Sequence, residues 1–194
     1  YWSLEDEEDS PSSNLIWTIL EDSNQQFWIG TAAGLDRMDR KTGKFKRYSH
    51  DENNPRSLSA PSVVSIFEDS KQRLWLGGDP GLNLYDPETD SFTVFDKKDG
   101  LIDATIRSIQ EDNNGNIWVS TNNGVSSFNP ETKRVKNYNR SGGKLVGGFN
   151  NSSGLMSRKG EVVFGGTNGL KIYNPEGLVD NTVVSQTVDT ALRI

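Results

Sequence analysis

The chain has 194 residues, a formal net charge of −6, 32% hydrophobic residues, one histidine and no cysteine. Its acidic balance argues against nucleic acid as a partner and against an anionic membrane surface, because both require a concentrated basic patch. The missing cysteine and lone histidine argue against a thiol nucleophile and a histidine-rich metal centre, so we expect no cofactor and no metal. No run of eighteen apolar residues predicts a membrane span, so membrane attachment is expected only through other parts of a parent chain.

A tryptophan and glycine pattern recurs along the chain and predicts a repeat protein. The copies begin at Phe27, Leu74 and Ile117 and, in degenerate form, at Val162. Each contains a glycine before its third apolar run, and these glycines are 47, 43 and 45 residues apart: Gly34, Gly81, Gly124 and Gly169. The apolar runs are too short for core helices and are separated by turn residues. We therefore predict an all-β fold, a β-propeller of four-stranded antiparallel blades, with about four blades present as a fragment of a larger propeller.

The predicted blades occupy residues 16–48, 63–95, 105–138 and 149–175, within a propeller region of residues 1–180. In the second blade we expect strands at Val63–Asp69, Leu74–Gly77, Leu82–Asp86 and Phe92–Phe95. Tyr1 stands where a fourth strand would end, which predicts that the chain is part of a longer polypeptide. Residues 181–194 read as a terminal strand or as the lead into a following β-sandwich module.

The repeated residues have a structural explanation. Trp28, Trp75 and Trp118 fall on second strands, where a large flat ring can fill the gap between neighbouring blades. The four repeated glycines are expected to turn the chain into the third strand, where a side chain would clash. An incomplete propeller exposes a blade face and strand edges, so we also expect self-association, most simply a dimer.

The full repeat pattern resembles the two-component regulator propeller repeat. In the first copy it runs through Ile16, Ile19, Glu21-Asp22, Trp28-Ile29-Gly30-Thr31 and Gly34-Leu35. This resemblance implies a periplasmic sensor domain of a bacterial membrane protein whose cytoplasmic half is a histidine kinase or a diguanylate cyclase. It also implies carbohydrate sensing, since several members of the family detect carbohydrate breakdown products. The last copy, from Phe164 to Glu176, resembles the terminal blade that precedes a small β-sandwich in that family.

A propeller is expected to bind a small molecule or an oligosaccharide at the mouth of its central channel. The loops that lead into the innermost strands would surround this mouth, and they are residues 2–15, 49–62, 96–105 and 139–150. Within or beside these loops, the candidate ligand-binding residues are Trp17, Arg56, Arg107, Phe149 and Asn150. Trp17 could stack on a sugar, and the two arginines could fork onto a carboxylate or sulfate. Each of them also has a purely structural interpretation, as a packed ring or a solvated side chain.

Two other function classes remain open from the sequence. One is a propeller enzyme, either a lyase or a quinoprotein, since Asp39–Gly43 is similar to the D-x-x-T-G of quinoprotein blades. Those blades carry a tryptophan after the T-G, whereas this chain has Phe45 and Tyr48, so no catalytic residue is predicted and the segment is not expected to be an enzyme. The other class is a protein-interaction platform, which many propellers are.

Overall fold

The structure, a computed structural model, describes residues 9–139 and 148–177. Blade 1 contains β1 (Ile16–Glu21), β2 (Phe27–Thr31), β3 (Gly34–Met38) and β4 (Phe45–Tyr48). Blade 2 contains β5 (Val63–Glu68), β6 (Leu74–Gly78), β7 (Leu82–Asp86) and β8 (Ser91–Phe95). Blade 3 contains β9 (Ile106–Glu111), β10 (Ile117–Thr121), β11 (Gly124–Phe128) and β12 (Val135–Asn139). Blade 4 contains β13 (Phe149–Met156), β14 (Val162–Gly166) and β15 (Gly169–Tyr173), and a short 3₁₀ turn at Lys97–Asp99 joins blades 2 and 3.

Each sheet is an antiparallel meander in chain order, and the first strands β1, β5, β9 and β13 lie side by side around a common axis. The predicted all-β propeller is therefore confirmed, and the strands of blade 2 begin and end within one residue of the expected bounds. Blade 4 has three strands among the described residues. Tyr1 and residues 181–194, for which strands were predicted, lie outside the described residues.

The periodic aspartate holds the first hairpin turn of each four-stranded blade and anchors its tryptophan. Asp69 Oδ1 accepts hydrogen bonds from the backbone N–H groups of Lys71 and Arg73, at 3.0 and 2.9 Å. Its other oxygen accepts from Trp75 Nε1 at 2.8 Å. The same indole bond joins Trp28 to Asp22 at 2.8 Å and Trp118 to Asp112 at 2.7 Å. The six-residue spacing from aspartate to tryptophan thus specifies both a turn and a core contact.

The hydrophobic core lies between blades. Trp75 is completely buried, and its ring centroid lies 6.0 Å from Phe95 of its own blade and 6.1 Å from Phe128 of blade 3. The two flanking tryptophans are buried in the same way between consecutive blades. Burial of such large rings is a main source of stability in a protein whose blades are thin sheets.

In blades 2 and 3, the glutamate before the turn aspartate joins the blade to the preceding blade. Glu68 of blade 2 accepts hydrogen bonds from the backbone N–H and the hydroxyl of Ser23 in blade 1, at 2.9 and 2.6 Å. Glu111 of blade 3 accepts the same two bonds from Ser70 in blade 2, at 2.7 and 2.8 Å. The periodic Glu-Asp pairs are thus structural contacts, of the turn and of the blade interface.

A second polar contact joins blades 1 and 2. Asp90 Oδ1 accepts hydrogen bonds from the hydroxyls of Tyr48 and Tyr85, at 2.8 and 2.7 Å, and Oδ2 accepts from Lys46. Partial burial raises the pKa of Asp90, but the hydrogen bonds from Lys46 and the two tyrosines outweigh this and lower the pKa to about 2. The carboxylate is therefore charged at neutral pH and stabilises this interface.

The backbone conformation requires glycine at the start of the third strand, and in blade 1 a side chain would also clash with the neighbouring backbone. Gly34 has a φ of +133°, and a Cβ at this position would lie 2.2 Å from the carbonyl oxygen of Tyr48. Gly169 has a φ of +121°, yet a Cβ there would meet nothing within 4 Å. Gly81 and Gly124 also have positive φ angles. The four positions share the left-handed backbone, while the steric demand differs among them.

Candidate ligand site at the propeller axis

The loops that lead into the innermost strands lie at the end of the propeller where the turns between second and third strands also lie, because each blade is an antiparallel meander. A polar residue two positions after the repeated glycine holds each of three loops. Asp36 accepts a hydrogen bond from the backbone N–H of Ser12 at 2.7 Å, and Asn83 accepts one from Ser59 at 2.9 Å. Ser126 accepts one from Ile102 at 3.0 Å. These anchors position the loops around the axis.

Asp36 differs from its counterparts because it is a buried acid. It is 0% exposed, its Oδ2 atom accepts from both polar groups of Ser12, and its Oδ1 atom has no hydrogen-bond partner in the described part of the chain. Burial raises the pKa of Asp36, and the hydrogen bonds from Ser12 and the charge of Arg47 offset only part of this effect. An uncompensated carboxylate oxygen at this position costs stability at neutral pH.

Arg107 forms the centre of a polar cluster at the axis. It is the second residue of β9, and its Nε and Nη1 atoms donate to the amide oxygens of Asn122 and Asn151, both at 3.2 Å. Asn122 belongs to the turn after β10, whereas Asn151 belongs to β13 of the next blade. Both acceptors are neutral amides, so these two contacts leave the guanidinium charge uncompensated. Such a group can bind a carboxylate, a sulfate or the hydroxyls of a sugar.

Strand β13 crosses towards the other inner strands at this point. Ser152 Oγ donates to the carbonyl oxygen of Val64 in β5 at 2.7 Å. The register between β13 and β14 is irregular between Phe149 and Gly154, which lengthens β13 relative to the other first strands. This bulge brings Asn151 within reach of Arg107.

The other predicted site residues occupy different environments. Trp17 is the second residue of β1, the position that Arg107 holds in β9, and it is 42% exposed. Phe149 is half-buried and packs inside blade 4, with its ring centroid 6.0 Å from that of Phe164. Asn150 is exposed, and its neighbour Asn151 makes the contact with Arg107. Asn122, Asn151 and Ser152 were not predicted as site residues from the sequence. Asn151 and Ser152 lie in the bulge of β13, which the sequence pattern did not indicate.

Arg56 does not lie at the axis, contrary to the expectation for its loop. Its carbonyl oxygen accepts from the backbone N–H of Phe92 at 2.9 Å, which places it beside β8, the outermost strand of blade 2. Its guanidinium donates to Thr89 Oγ1 at 2.8 Å and lies 3.6 Å from Asp86. The long polar loop runs down the blade edge here because unpaired backbone groups of β8 are available to it.

An open groove of about 980 Å³ lies on blade 1, over the outer strands β3 and β4. Its lining includes Gln26, Met38 and Phe45 together with several basic residues. Two of these cations are paired, Arg40 with Glu21 at 2.8 Å and Lys46 with Asp90. The groove lies on the surface of blade 1 and includes no residue of the Arg107 cluster.

The remaining chemistry of the described residues is sparse. Among residues 9–139 and 148–177, no group of three or more His, Cys, Asp or Glu side chains could hold a metal ion. The imidazole Nδ1 of His50 lies 2.7 Å from the carbonyl oxygen of Leu58, within its own loop. In the same part of the chain, no helix has the length and apolar character needed to cross a membrane.

Comparison with known proteins identifies the family of these repeats. Three segments, residues 10–33, 57–79 and 100–123, match the family described as two component regulator propeller. The extracellular domain of a hybrid two-component system from B. thetaiotaomicron is 31% identical, with a TM-score of 0.76 over 84% of this chain and 22% of that one. A second such domain from the same organism is 26% identical, with a TM-score of 0.75 over 91% and 25%.

A more distant structure shares the fold alone. It is PorZ, a surface component of the type-IX secretion system of Porphyromonas gingivalis, at 24% identity and a TM-score of 0.60 over 87% of this chain and 26% of that one. The chain therefore spans about a quarter of the length of these solved structures. The curated proteins gave no match.

Proposed function

Because the chain carries repeats of the two-component regulator propeller family, we propose that it is an extracytoplasmic ligand-sensing module of a bacterial transmembrane signalling protein. The similarity to extracellular domains of two hybrid two-component systems supports a sensor role and a location outside the cytoplasm. We assign the location to the periplasm and the output to a cytoplasmic histidine kinase or diguanylate cyclase. In this proposal the segment itself binds a ligand and carries out no chemistry.

The observation that carries the proposal is the cluster around Arg107. A guanidinium that donates to two amide oxygens at 3.2 Å is a charged donor that can exchange those acceptors for a ligand. Trp17, at the same strand position in blade 1, supplies an exposed aromatic face. Aromatic faces bind the apolar faces of sugar rings, while guanidinium and amide groups bind hydroxyls and carboxylates. We therefore propose a carbohydrate-derived small molecule or oligosaccharide as the ligand.

The site also suggests how binding could be transmitted. Arg107 belongs to blade 3, Asn151 to blade 4 and Trp17 to blade 1, so a ligand that contacts all three would connect separate blades. A ligand shifts a conformational equilibrium only when it binds one arrangement more tightly than another. An axial ligand that prefers one arrangement of the blades would satisfy this condition, and the shift would reach the neighbouring domain of the parent chain.

Isothermal titration calorimetry tests the proposal. The chain is titrated with neutral and uronate-terminated disaccharides and longer oligosaccharides, and saturable binding is expected for one class. The variant Arg107→Ala should raise Kd by at least about tenfold, corresponding to about 1.4 kcal/mol. Arg56→Ala is the matched control, because that exposed arginine lies at a blade edge, and its Kd should match wild type.

Product analysis of the same mixtures separates the alternatives. Mass spectrometry should recover each oligosaccharide unchanged after prolonged incubation. Cleavage or oxidation of a sugar would overturn the sensor proposal in favour of a propeller enzyme. Binding that is equally strong in the Arg107→Ala variant would show that the site lies elsewhere on the molecule.

A further inference from the structure

Arg107 is a half-buried cation whose neighbours supply no negative charge. It lies in blade 3, and the first strands on either side of it, β5 and β13, both belong to the described part of the chain. Its guanidinium donates to the amide oxygens of Asn122 and Asn151, and it forms no ion pair with another described residue. The equivalent residues of blades 1 and 2 are the uncharged Trp17 and Val64. A partly desolvated guanidinium without a counterion is a binding site for an anion.

The two amide contacts leave part of the guanidinium of Arg107 available. The Nε and Nη1 atoms each donate one hydrogen bond, at 3.2 Å, and Nη2 donates none to the described residues. Both distances lie at the long end of the usual range, whereas a guanidinium and a carboxylate approach to about 2.7–2.9 Å. A carboxylate or a sulfate would therefore bind this group at a shorter distance, and with a stronger attraction, than either amide does.

Asn151 is the more easily displaced of the two acceptors. Asn122 belongs to the turn after β10, in the same blade as Arg107, and its position is fixed by the hairpin. Asn151 instead lies in the irregular part of β13, where the pairing with β14 is interrupted between Phe149 and Gly154. The extra residues of a bulge lack regular ladder partners, so a movement of this segment breaks few backbone hydrogen bonds.

The residue after Asn151 holds a strained backbone conformation. Ser152 has a φ of +50°, in the left-handed region that residues other than glycine and asparagine rarely adopt. Its hydroxyl donates to the carbonyl oxygen of Val64 at 2.7 Å, so a residue of blade 4 contacts blade 2 across the first strand of blade 3. Strain of this kind favours release of the segment once a stronger acceptor takes the place of Asn151.

The sequence of blade 3 explains the irregular path of β13. In blades 1 and 2 the second strand has a glycine where the next blade's first strand passes. A Cβ at Gly30 would lie 2.6 Å from the carbonyl oxygen of Val63, and one at Gly77 would lie 2.7 Å from Ile106 Cγ2. Blade 3 has Ser120 at this position, completely buried and with no hydrogen-bond partner for its hydroxyl among the described residues. Its side chain occupies space that a regular first strand would need, so β13 takes a different path.

We propose that the ligand is recognised through an acidic group, a carboxylate or a sulfate, which replaces Asn151 on Arg107. The acid accepts from Nη1 and Nη2 as a fork, while Asn122 keeps Nε in place. Release of Asn151 allows β13 to shift relative to β5, so that blade 4 changes its position when the acid binds. This inference rests on the proposed ligand-sensing function and narrows its ligand to an acidic saccharide, a uronate or a sulfated sugar, rather than a neutral one.

An internal counterion tests the site without any ligand. The variant Asn151→Asp is nearly isosteric and gives Arg107 a carboxylate partner, so its thermal midpoint at low salt should exceed that of wild type. The same substitution in an Arg107→Gln background should give no gain, because the cation is absent. Asn113→Asp is the matched control for the added charge, since this exposed residue follows β9 at the end away from Arg107, and it should give no gain either. A gain without Arg107, or no gain in Asn151→Asp, would overturn the proposal.

The NMR signal of the Nε–H group of Arg107, assigned with the Arg107→Gln variant, reports binding directly. Digalacturonate and its methyl ester differ chiefly in charge, and sodium sulfate, exchanged for chloride at constant ionic strength, tests the anion alone. Wild type should show saturable shifts with digalacturonate and with sulfate and none with the ester. Asn151→Asp should raise both dissociation constants by at least about tenfold, whereas Asn113→Asp should leave them unchanged.

The outcomes separate this inference from the proposed function. Equal binding of the ester would overturn the acidic-group inference and leave the sensor function standing. If neither sulfate nor digalacturonate shifts the signal, Arg107 is not an anion site, and the sensor function then depends on the neutral sugars of the calorimetric titration. Binding of the acid that Asn151→Asp does not weaken would show that the anion does not take the place of Asn151.

Discussion

Replacement of Trp75 by alanine tests the claim that the tryptophans hold the blades together. Trp75 is 0% exposed and lies between Phe95 and Phe128 of two blades. Removing a ring of about 200 Å² at about 25 cal/mol/Å² corresponds to about 5 kcal/mol as an upper value. Measured losses for buried aromatic residues replaced by alanine are about 3–5 kcal/mol. We therefore expect the free energy of unfolding to fall by about 4 kcal/mol.

The milder variant Trp75→Phe keeps an aromatic ring and removes the indole donor. Its Nε1 atom donates to Asp69 at 2.8 Å, and a hydrogen bond to a charged group contributes about 1.5–3 kcal/mol. Asp69 Oδ2 keeps its bond from Arg73 Nε at 2.6 Å, so we expect the free energy of unfolding to fall by about 1.5 kcal/mol. This variant also remains measurable if Trp75→Ala fails to fold.

Urea unfolding followed by far-UV CD, at one fixed protein concentration, measures both losses. Trp17→Ala is the matched control, since the same side chain is 42% exposed there and its removal should cost less than about 1 kcal/mol. If Trp75→Ala cost no more than Trp17→Ala, the inter-blade rings would not be the core, and the packing argument would be refuted.

Three further predictions concern single positions. Gly34→Ala should lower the thermal midpoint more than Gly169→Ala, because both have positive φ but only Gly34 has a backbone oxygen in the way, and equal losses would contradict this reason. Asp90→Asn should lower the thermal midpoint most near pH 7, because the folded state stabilises the charged carboxylate and thereby lowers its pKa to about 2. The effect should become smaller as the pH falls below the ordinary carboxyl pKa. A difference in midpoint that does not depend on pH would exclude the charge effect. Burial raises the pKa of Asp36, so the charged carboxylate destabilises the folded state increasingly as the pH rises through the carboxyl range. The variant Asp36→Asn should therefore be more stable than wild type at pH 7 and lose that advantage in acid. No gain at pH 7 would show that the carboxylate has a partner.

The axis site was only partly predictable from sequence, and the physical reasons differ by residue. Arg107 could be found because it breaks the repeat at a position that lines the axis in every blade. Asn151 could not be found, because its contact depends on the extra residues of β13, and a bulge shifts which side chains face the axis. Arg56 was placed wrongly because loop position along the chain says little about the path of a fourteen-residue loop, residues 49–62.

The blade interfaces show the same division. The spacing of Glu68, Asp69 and Trp75 marked them as repeated structural residues, but the pairing of Glu68 with Ser23 involves residues 45 positions apart in separate sheets. Equally, the apolar pattern of β1 predicted a core strand, whereas Ile19 is 57% exposed because no described blade covers it. Burial is a property of the neighbour as well as of the strand.

The sequence by itself determined the repeat, the blade and the fold class, because alternating apolar residues, turn aspartates and positive-φ glycines act over a few residues. It also determined the interface rings, since the tryptophans in the second strands of blades 1, 2 and 3 have to be buried somewhere. Only the tertiary structure decided which side chains meet, such as Arg107 with Asn151 and Glu68 with Ser23. These contacts depend on how sheets pack around an axis, and no local pattern records that arrangement.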